Sequence, residues 1–193
     1  PDYGRGNYND FNTFYIQAAS STSGGSSGSP VINILGQVVA LNAGANNSAA
    51  SSYFLPLQRV NRALGLLRNN QSVKRGTLQT EFSRLTYDQL KRLDMTSATE
   101  SLFWSKGKDL GGLLVVKRVI KDSPMYKFIK AGDILKSING ELVNDFIGLA
   151  AVLDENVGQS ISIDIERGSQ NINFSVEVSD LHQITPNAYL TFG

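Results

Sequence analysis

The sequence predicts a mainly β protein with a few helices, arranged as two small units, and three observations carry that prediction. Strand-prone runs recur along the chain, and two of them, residues 160–166 and 171–178, alternate apolar and polar positions without a break. Gly, Asn and Pro separate these runs at short intervals. Helical spacing is confined to a few places, such as Val60, Ala63, Leu64 and Leu67 at i, i+3, i+4 and i+7. A chain of 193 residues holds two units of about 70 to 110 residues each.

Composition narrows the function classes. Hydrophobic residues make up 41% and charged residues 18%, ordinary for a globular protein. A net charge of +1, with no basic run carrying interleaved aromatics, argues against nucleic acid as a partner. No apolar stretch approaches the roughly 18 residues that a membrane span needs. Without cysteine the chain has neither disulfides nor thiolate metal sites, and no residue pattern calls for a metal or other cofactor. The opening Pro1-Asp2-Tyr3-Gly4 is neither a signal peptide nor an initiator, so further sequence is expected upstream.

The first unit is assigned to residues 1–72. Residues 1–12 read as an irregular loop, with Asp2 and Asp10 as loop residues. Residues 14–17 are a short β-prone run, and residues 20–30 are almost entirely Ser and Gly. Residues 31–34 and 37–41 form a hairpin split by Leu35-Gly36, residues 43–52 a loop, and a helix follows Pro56 until residues 69–72 end it.

The second unit is assigned to residues 73–181, with 182–193 as an exit linker. Residues 75–82 predict a strand, and Thr86 caps a helix through Met95 with Leu90 and Leu93 inward. Strands follow at 113–120 and 134–138. Asn144-Asp145 precedes a helix over 146–153 whose stripe is Phe146, Leu149, Ala150 and Leu153. Residues 167–170 turn between the two alternating strands. The unit is thus a small sheet plus two helices, and it does not repeat the pattern of the first.

The Ser/Gly stretch has two readings. By composition it is a flexible linker, but it joins a β-prone run directly to a hairpin and leaves no room for a finished domain before it. Within it, residues 25–30 read Gly-Ser-Ser-Gly-Ser-Pro, of the form Gly-X-Ser-Gly-X-Pro. A serine attacks an amide only when a base takes its proton and donors receive the charge on the carbonyl oxygen. A glycine two residues earlier lets backbone N–H groups converge, and one just after permits a strained turn. Ser27 is then the nucleophile, with Gly25, Ser26 and Ser27 forming the oxyanion loop.

At these residues the chain resembles the HtrA/Deg family of trypsin-like serine proteases, whose nucleophile segment reads Gly-Asn-Ser-Gly-Gly. Residues 15–17, 33–41 and 54–56 resemble the family's flanking strand, hairpin and lead into its last helix. Ser26, Ser29 and Gly24 stand where the family has Asn, Gly and Pro. The resemblance implies the C-terminal part of a chymotrypsin-like β-barrel. It also implies a substrate-pairing edge strand at Ala40, Leu41, Asn42 and Ala43, with Asn42 and Gly24 bordering the pocket. The family's histidine and aspartate lie upstream of the serine. Only His182 is present here, in the exit segment, and it is read as an ordinary histidine, so the fragment alone is expected to be inactive.

Residues 130–135, Lys-Ala-Gly-Asp-Ile-Leu, followed by Ile138-Asn139-Gly140, resemble PDZ domains over about residues 74–180. PDZ domains bind extended peptides by strand addition. The resemblance places the receiving loop at Thr77, Leu78, Gln79 and Thr80 and the helix wall at Phe146, Leu149, Ala150 and Leu153. The family's hydrophobic-Gly-hydrophobic pattern is Leu78-Gln79-Thr80 here, which leaves open whether the groove takes a peptide or an internal segment. The wording around residues 24–30 and 180–186 is most similar to fungal nuclear members with two protease–PDZ halves, linked to stress and cell death. That likeness implies a nuclear location, and the HtrA resemblance implies an ATP-independent endopeptidase acting on unfolded or damaged polypeptides and a homotrimer in the full-length protein. The rival readings are a peptide-binding, chaperone-like module with a degenerate protease domain, and a fusion in which the Ser/Gly stretch is a tether.

Overall fold

The computed structural model describes residues 12–20, 24–46, 51–107 and 111–185. The readings of residues 1–11, including Asp2 and Asp10, and of the exit segment beyond Thr185 lie outside them. The chain divides into two compact units, residues 13–73 and a second that joins residues 1–12 to residues 74–193.

The serine-bearing unit is a four-stranded antiparallel sheet ending in a helix. Its strands are β1 (Ile16–Ala18), β2 (Pro30–Ile32), β3 (Val38–Asn46) and β4 (Ser51–Pro56), in the order β1-β4-β3-β2, followed by helix α1 (Leu57–Arg68). The hairpin turn between β2 and β3 is built by Asn33, whose side-chain oxygen accepts from the N–H of Leu35 and of Gln37. Two sequence readings need correction. The loop over 43–52 is shorter, because β3 runs to Asn46 and β4 starts at Ser51. Ala40 and Leu41 are interior, not on an edge: β2 pairs with them on one side and β4 on the other.

The larger unit is a sheet with helices on both faces. Strands β5 (Gly76–Thr77), β6 (Thr80–Thr86), β7 (Gly112–Val119), β8 (Ile134–Ile138), β9 (Glu141–Leu142), β10 (Ser160–Arg167), β11 (Gln170–Glu177) and β12 (Ser179–Asp180) are joined by α2 (Tyr87–Lys91), α3 (Ser97–Ser105), α4 (Phe146–Glu155) and α5 (Leu181–Ile184). The main sheet runs β11-β10-β8-β7-β6, while β5 pairs with β12. Alternate residues of β7 feed two cores. Leu114 and Val116 pack with Leu149 and Leu153 of α4, whereas Leu113 and Val115 pack with Leu90 of α2 and Phe103 of α3. Burial on both faces is why β7 reads as an unbroken apolar run.

Three readings of this unit are corrected. The strand over 75–82 breaks into β5 and β6 because Gln79 adopts a left-handed conformation, φ +53°. The helix from Thr86 stops at Lys91, although the capping box between Thr86 and Gln89 that starts it is present. A third helix, α3, follows. Its apolar residues form no strong stripe, which hides it, and the carboxylate of buried Glu166 helps to hold its start by accepting from the Thr96 N–H at 2.6 Å and from the Thr99 hydroxyl.

The residues that carry the second resemblance build this fold. Asp133 is fully buried and takes two charge-assisted bonds of 2.6 Å from Arg167, plus the Lys130 N–H at 2.8 Å. That hydrogen bonding holds the Arg167 guanidinium above the ordinary arginine range, against the opposing pull of burial. Asn139 brackets Ser162 with its backbone N–H and its side-chain oxygen, at 2.8 and 2.9 Å.

Candidate functional site

The Ser/Gly stretch is an ordered loop seated on β3 over its described residues. Gly25 and Gly28 have φ of +91° and +82°, the left-handed region that side chains rarely adopt. Open space surrounds the position of a Cβ at either glycine, so their requirement is torsional. Between them the chain makes a tight turn in which the Ser29 N–H donates to the Ser26 carbonyl at 3.1 Å. Ser27 stands at the apex and is exposed.

Asn42 of β3 grips this loop from both sides of Ser27. Its backbone carbonyl accepts from the Gly28 N–H at 2.7 Å, and its backbone N–H donates to the Ser29 carbonyl at 2.9 Å. Its side-chain Nδ2 donates to the Ser26 carbonyl at 3.0 Å and to the Ser26 Oγ at 2.9 Å. Asn42 is 6% exposed, and its Oδ1 is buried without a hydrogen-bond partner. The sequence reading placed Asn42 at the border of a pocket; the geometry adds a clamp on the loop. Only the fold could show that, because Asn42 lies sixteen residues from Ser26.

The pattern of backbone bonding around Ser27 is uneven. Gly28 and Ser29 spend their N–H groups inside the protein, whereas among the described residues those of Gly25 and Ser27 have no internal acceptor. A loop with an exposed hydroxyl at its apex, two unspent N–H groups and a base fixed to β3 can hold an oxygen that is gaining negative charge. What the unit lacks is equally plain: residues 13–73 contain no His, Asp or Glu. His182 lies in α5 of the other unit, exposed, with its own N–H donating to Asp180 at 3.0 Å.

The second candidate surface lies between β5, β6 and α4. Leu78, Leu149 and Leu153 belong to the core there, and Thr77 and Thr80 are buried. Phe146 and Ala150 are half-buried and offer the remaining helix wall. Gly76 is forced by packing, since a Cβ would lie 2.0 Å from the Leu153 carbonyl oxygen. At Gln79 the backbone N–H that would face a ligand's end is taken by Thr77 Oγ1 at 3.0 Å, and the carbonyl accepts from Ile120 at 3.0 Å.

Comparison with known proteins places these features. No protein-family model matches the chain. It is 46% identical over 190 residues to the pro-apoptotic serine protease NMA111 of Candida glabrata, covering 98% of this chain and 19% of that protein. The protein of the same name from Saccharomyces cerevisiae is 47% identical over the same share. Protease Do-like 7 of Arabidopsis thaliana is 45% identical over 201 residues, 98% of this chain and 18% of that one. The chain therefore spans about a fifth of the length of the curated relatives it matches. Among solved structures, the HtrA-type protease AlgW with a tripeptide aligns at a TM-score of 0.57 and 20% identity, covering 92% of this chain and 56% of that one. AlgW with a decapeptide aligns at 0.52 and 22% identity, over 90% and 50%. These likenesses show the fold, mostly strands with few helices. With near-complete coverage of the chain by named serine proteases and an HtrA-type fold, this chain belongs to the HtrA/Deg family.

Proposed function

We propose that this chain is the nucleophile-bearing portion of an ATP-independent serine endopeptidase that hydrolyses unfolded or damaged polypeptides, followed by a PDZ domain. The boundary between the two parts falls at residues 69–73. The observation that carries the reading is the serine loop, with Ser27 exposed between two left-handed glycines and locked to β3 by Asn42.

In this reading Ser27 Oγ attacks the scissile carbonyl. The N–H groups of Gly25 and Ser27, with Ser26 between them, stabilise the oxygen of the tetrahedral intermediate. Because residues 13–73 carry no His, Asp or Glu, the histidine and aspartate that activate Ser27 come from another part of the full-length protein. Gly24, Asn42 and Ala43 flank the substrate side chain. Relatives named as pro-apoptotic proteases support an intracellular role linked to cell death, and we place the full-length protein in the nucleus as a homotrimer. Peptide-bound AlgW supports polypeptides as the ligand class.

A fluorophosphonate probe labels only a serine with a working base. The full-length protein is expected to take the label and Ser27→Ala to lose it completely. A folded wild-type protein that stays unlabelled would sink the enzyme and leave a peptide-binding module with a degenerate protease domain.

A further inference from the structure

Strand β6 lies at the edge of the main sheet, and one side chain already occupies that edge. Asn12 Nδ2 donates to the Thr80 carbonyl at 2.7 Å, and Asn12 Oδ1 accepts from the Phe82 N–H at 2.8 Å. A residue of a parallel strand added beside β6 would make the same two bonds, one to the carbonyl of Thr80 and one to the N–H of Phe82, straddling Glu81. The carboxamide of Asn12 thus stands in for one residue of an added strand. Asn12 has φ +61°, a left-handed conformation that Asn tolerates better than most residues, and it belongs to the same compact unit as β6.

A second observation agrees. The N–H of Gln79, at the head of the same edge, is satisfied internally by Thr77 Oγ1 at 3.0 Å. Three groups that would receive an incoming peptide, the Gln79 N–H, the Thr80 carbonyl and the Phe82 N–H, are therefore already bonded within the chain. An edge whose outward N–H and C=O are capped is also one protected against unwanted strand pairing.

We propose that Asn12 is an intramolecular ligand of the β6 edge, so that an extended peptide adds to β6 only by displacing it. The partner that this edge fits is then the backbone of an extended peptide, whose place a side-chain carboxamide of the chain itself holds until a peptide competes. Since the two bonds are traded for two equivalent ones, Asn12 lowers peptide affinity without changing which peptides bind. This inference rests on the strand-addition reading of the PDZ groove but is independent of whether Ser27 is active.

The test uses the full-length protein and Asn12→Ala, with Asn12→Asp as a second variant that keeps an acceptor for Phe82 but sets a carboxylate against the Thr80 carbonyl. NMR reads amide exchange at Phe82, and anisotropy reads binding of a fluorescein-labelled decapeptide of alternating Val and Thr. Asn12→Ala is expected to speed Phe82 exchange and to bind the decapeptide about tenfold more tightly, as loss of a competing pair of modest hydrogen bonds requires, with Asn12→Asp between it and the wild type in both readouts. Unchanged exchange at Phe82 would overturn the cap. Faster exchange with unchanged decapeptide affinity, or no decapeptide binding in wild type and variants alike, would overturn the competition. Fluorophosphonate labelling of Ser27 is scored separately, so failure of the catalytic reading and failure of the cap give different results.

Discussion

The two units of this chain achieve order in opposite ways. The larger one buries apolar side chains on both faces of its sheet, with Phe103, Leu113, Leu114, Ile134 and Ile161 at 1% exposure or less. The serine-bearing one, among its described residues, buries only Ala40 and Tyr53 of its hydrophobic side chains and leaves Ile32, Ile34, Leu35 and Leu67 largely in solvent. It is held by strand pairing and by hydrogen bonds such as those of Asn42 and Asn33. A unit with a closed core tolerates change on its surface and fails when its core is cut. A unit held by backbone pairing has little core to cut.

The sharpest way to break this comparison is a matched pair of truncations. Phe103→Ala removes a fully buried ring from between α3 and β7 and is expected to destabilise the larger unit by about 3 to 5 kcal/mol. Ile34→Ala removes a side chain at 102% exposure, and its expected effect is within about 0.5 kcal/mol. Chemical denaturation of the two variants checks both, and comparable losses would show that the hairpin's apolar residues are covered in the intact protein.

The next effect tests whether the buried ion pair is part of that closed core. Arg167→Met leaves Asp133 buried without its two charge-assisted bonds, and the expected cost is about 3 kcal/mol or somewhat more. The sign of the pH dependence follows from the raised arginine. A cation whose pKa is higher in the folded state contributes fully below its unfolded value and loses that contribution only as pH rises through the folded one. The arginine side of the pair is thus constant from acid to moderately alkaline pH. A wild-type to Arg167→Met difference in denaturation midpoint that shrank as pH rose through the mildly alkaline range would contradict it.

How much of this was legible in the sequence depended on the range of the interactions. Strand β8 matches the reading residue for residue, and α4 and β10 match within two, because alternation and the Asp145 cap are local signals. The break at Gln79 was hidden, since a non-glycine in the left-handed region is sustained by Thr77, Ile120 and Ser179, the last a hundred residues away in sequence. Helix α3 was hidden for a similar reason: its apolar residues do not form a strong stripe, and part of its cap is Glu166 from β10. The Gly-X-Ser-Gly pattern announced the serine loop. It did not announce what holds the loop still, because the clamp lies on β3, and it did not reveal that Asn12 reaches β6.

An effect smaller than that of the ion pair separates the two roles open to Asn42. If it clamps the loop, removing its carboxamide loosens Ser26 and lets Gly25 and Ser27 wander from the geometry that an oxyanion needs. Asn42→Ala loses the two Nδ2 bonds to Ser26, while the backbone bonds to Gly28 and Ser29 remain. In the full-length protein this should slow fluorophosphonate labelling of Ser27 by about tenfold, the kinetic worth of roughly 1.4 kcal/mol, with little change in melting temperature. Asn42→Asp should slow it further, since a carboxylate cannot donate to the Ser26 carbonyl and repels it. If Asn42 instead only lines the pocket beside the scissile bond, both variants would leave the labelling rate near wild type and alter which side chain is accepted there. The probe carries no such side chain, so its rate reports the loop alone. A pair of peptide substrates differing only at that residue reports the pocket.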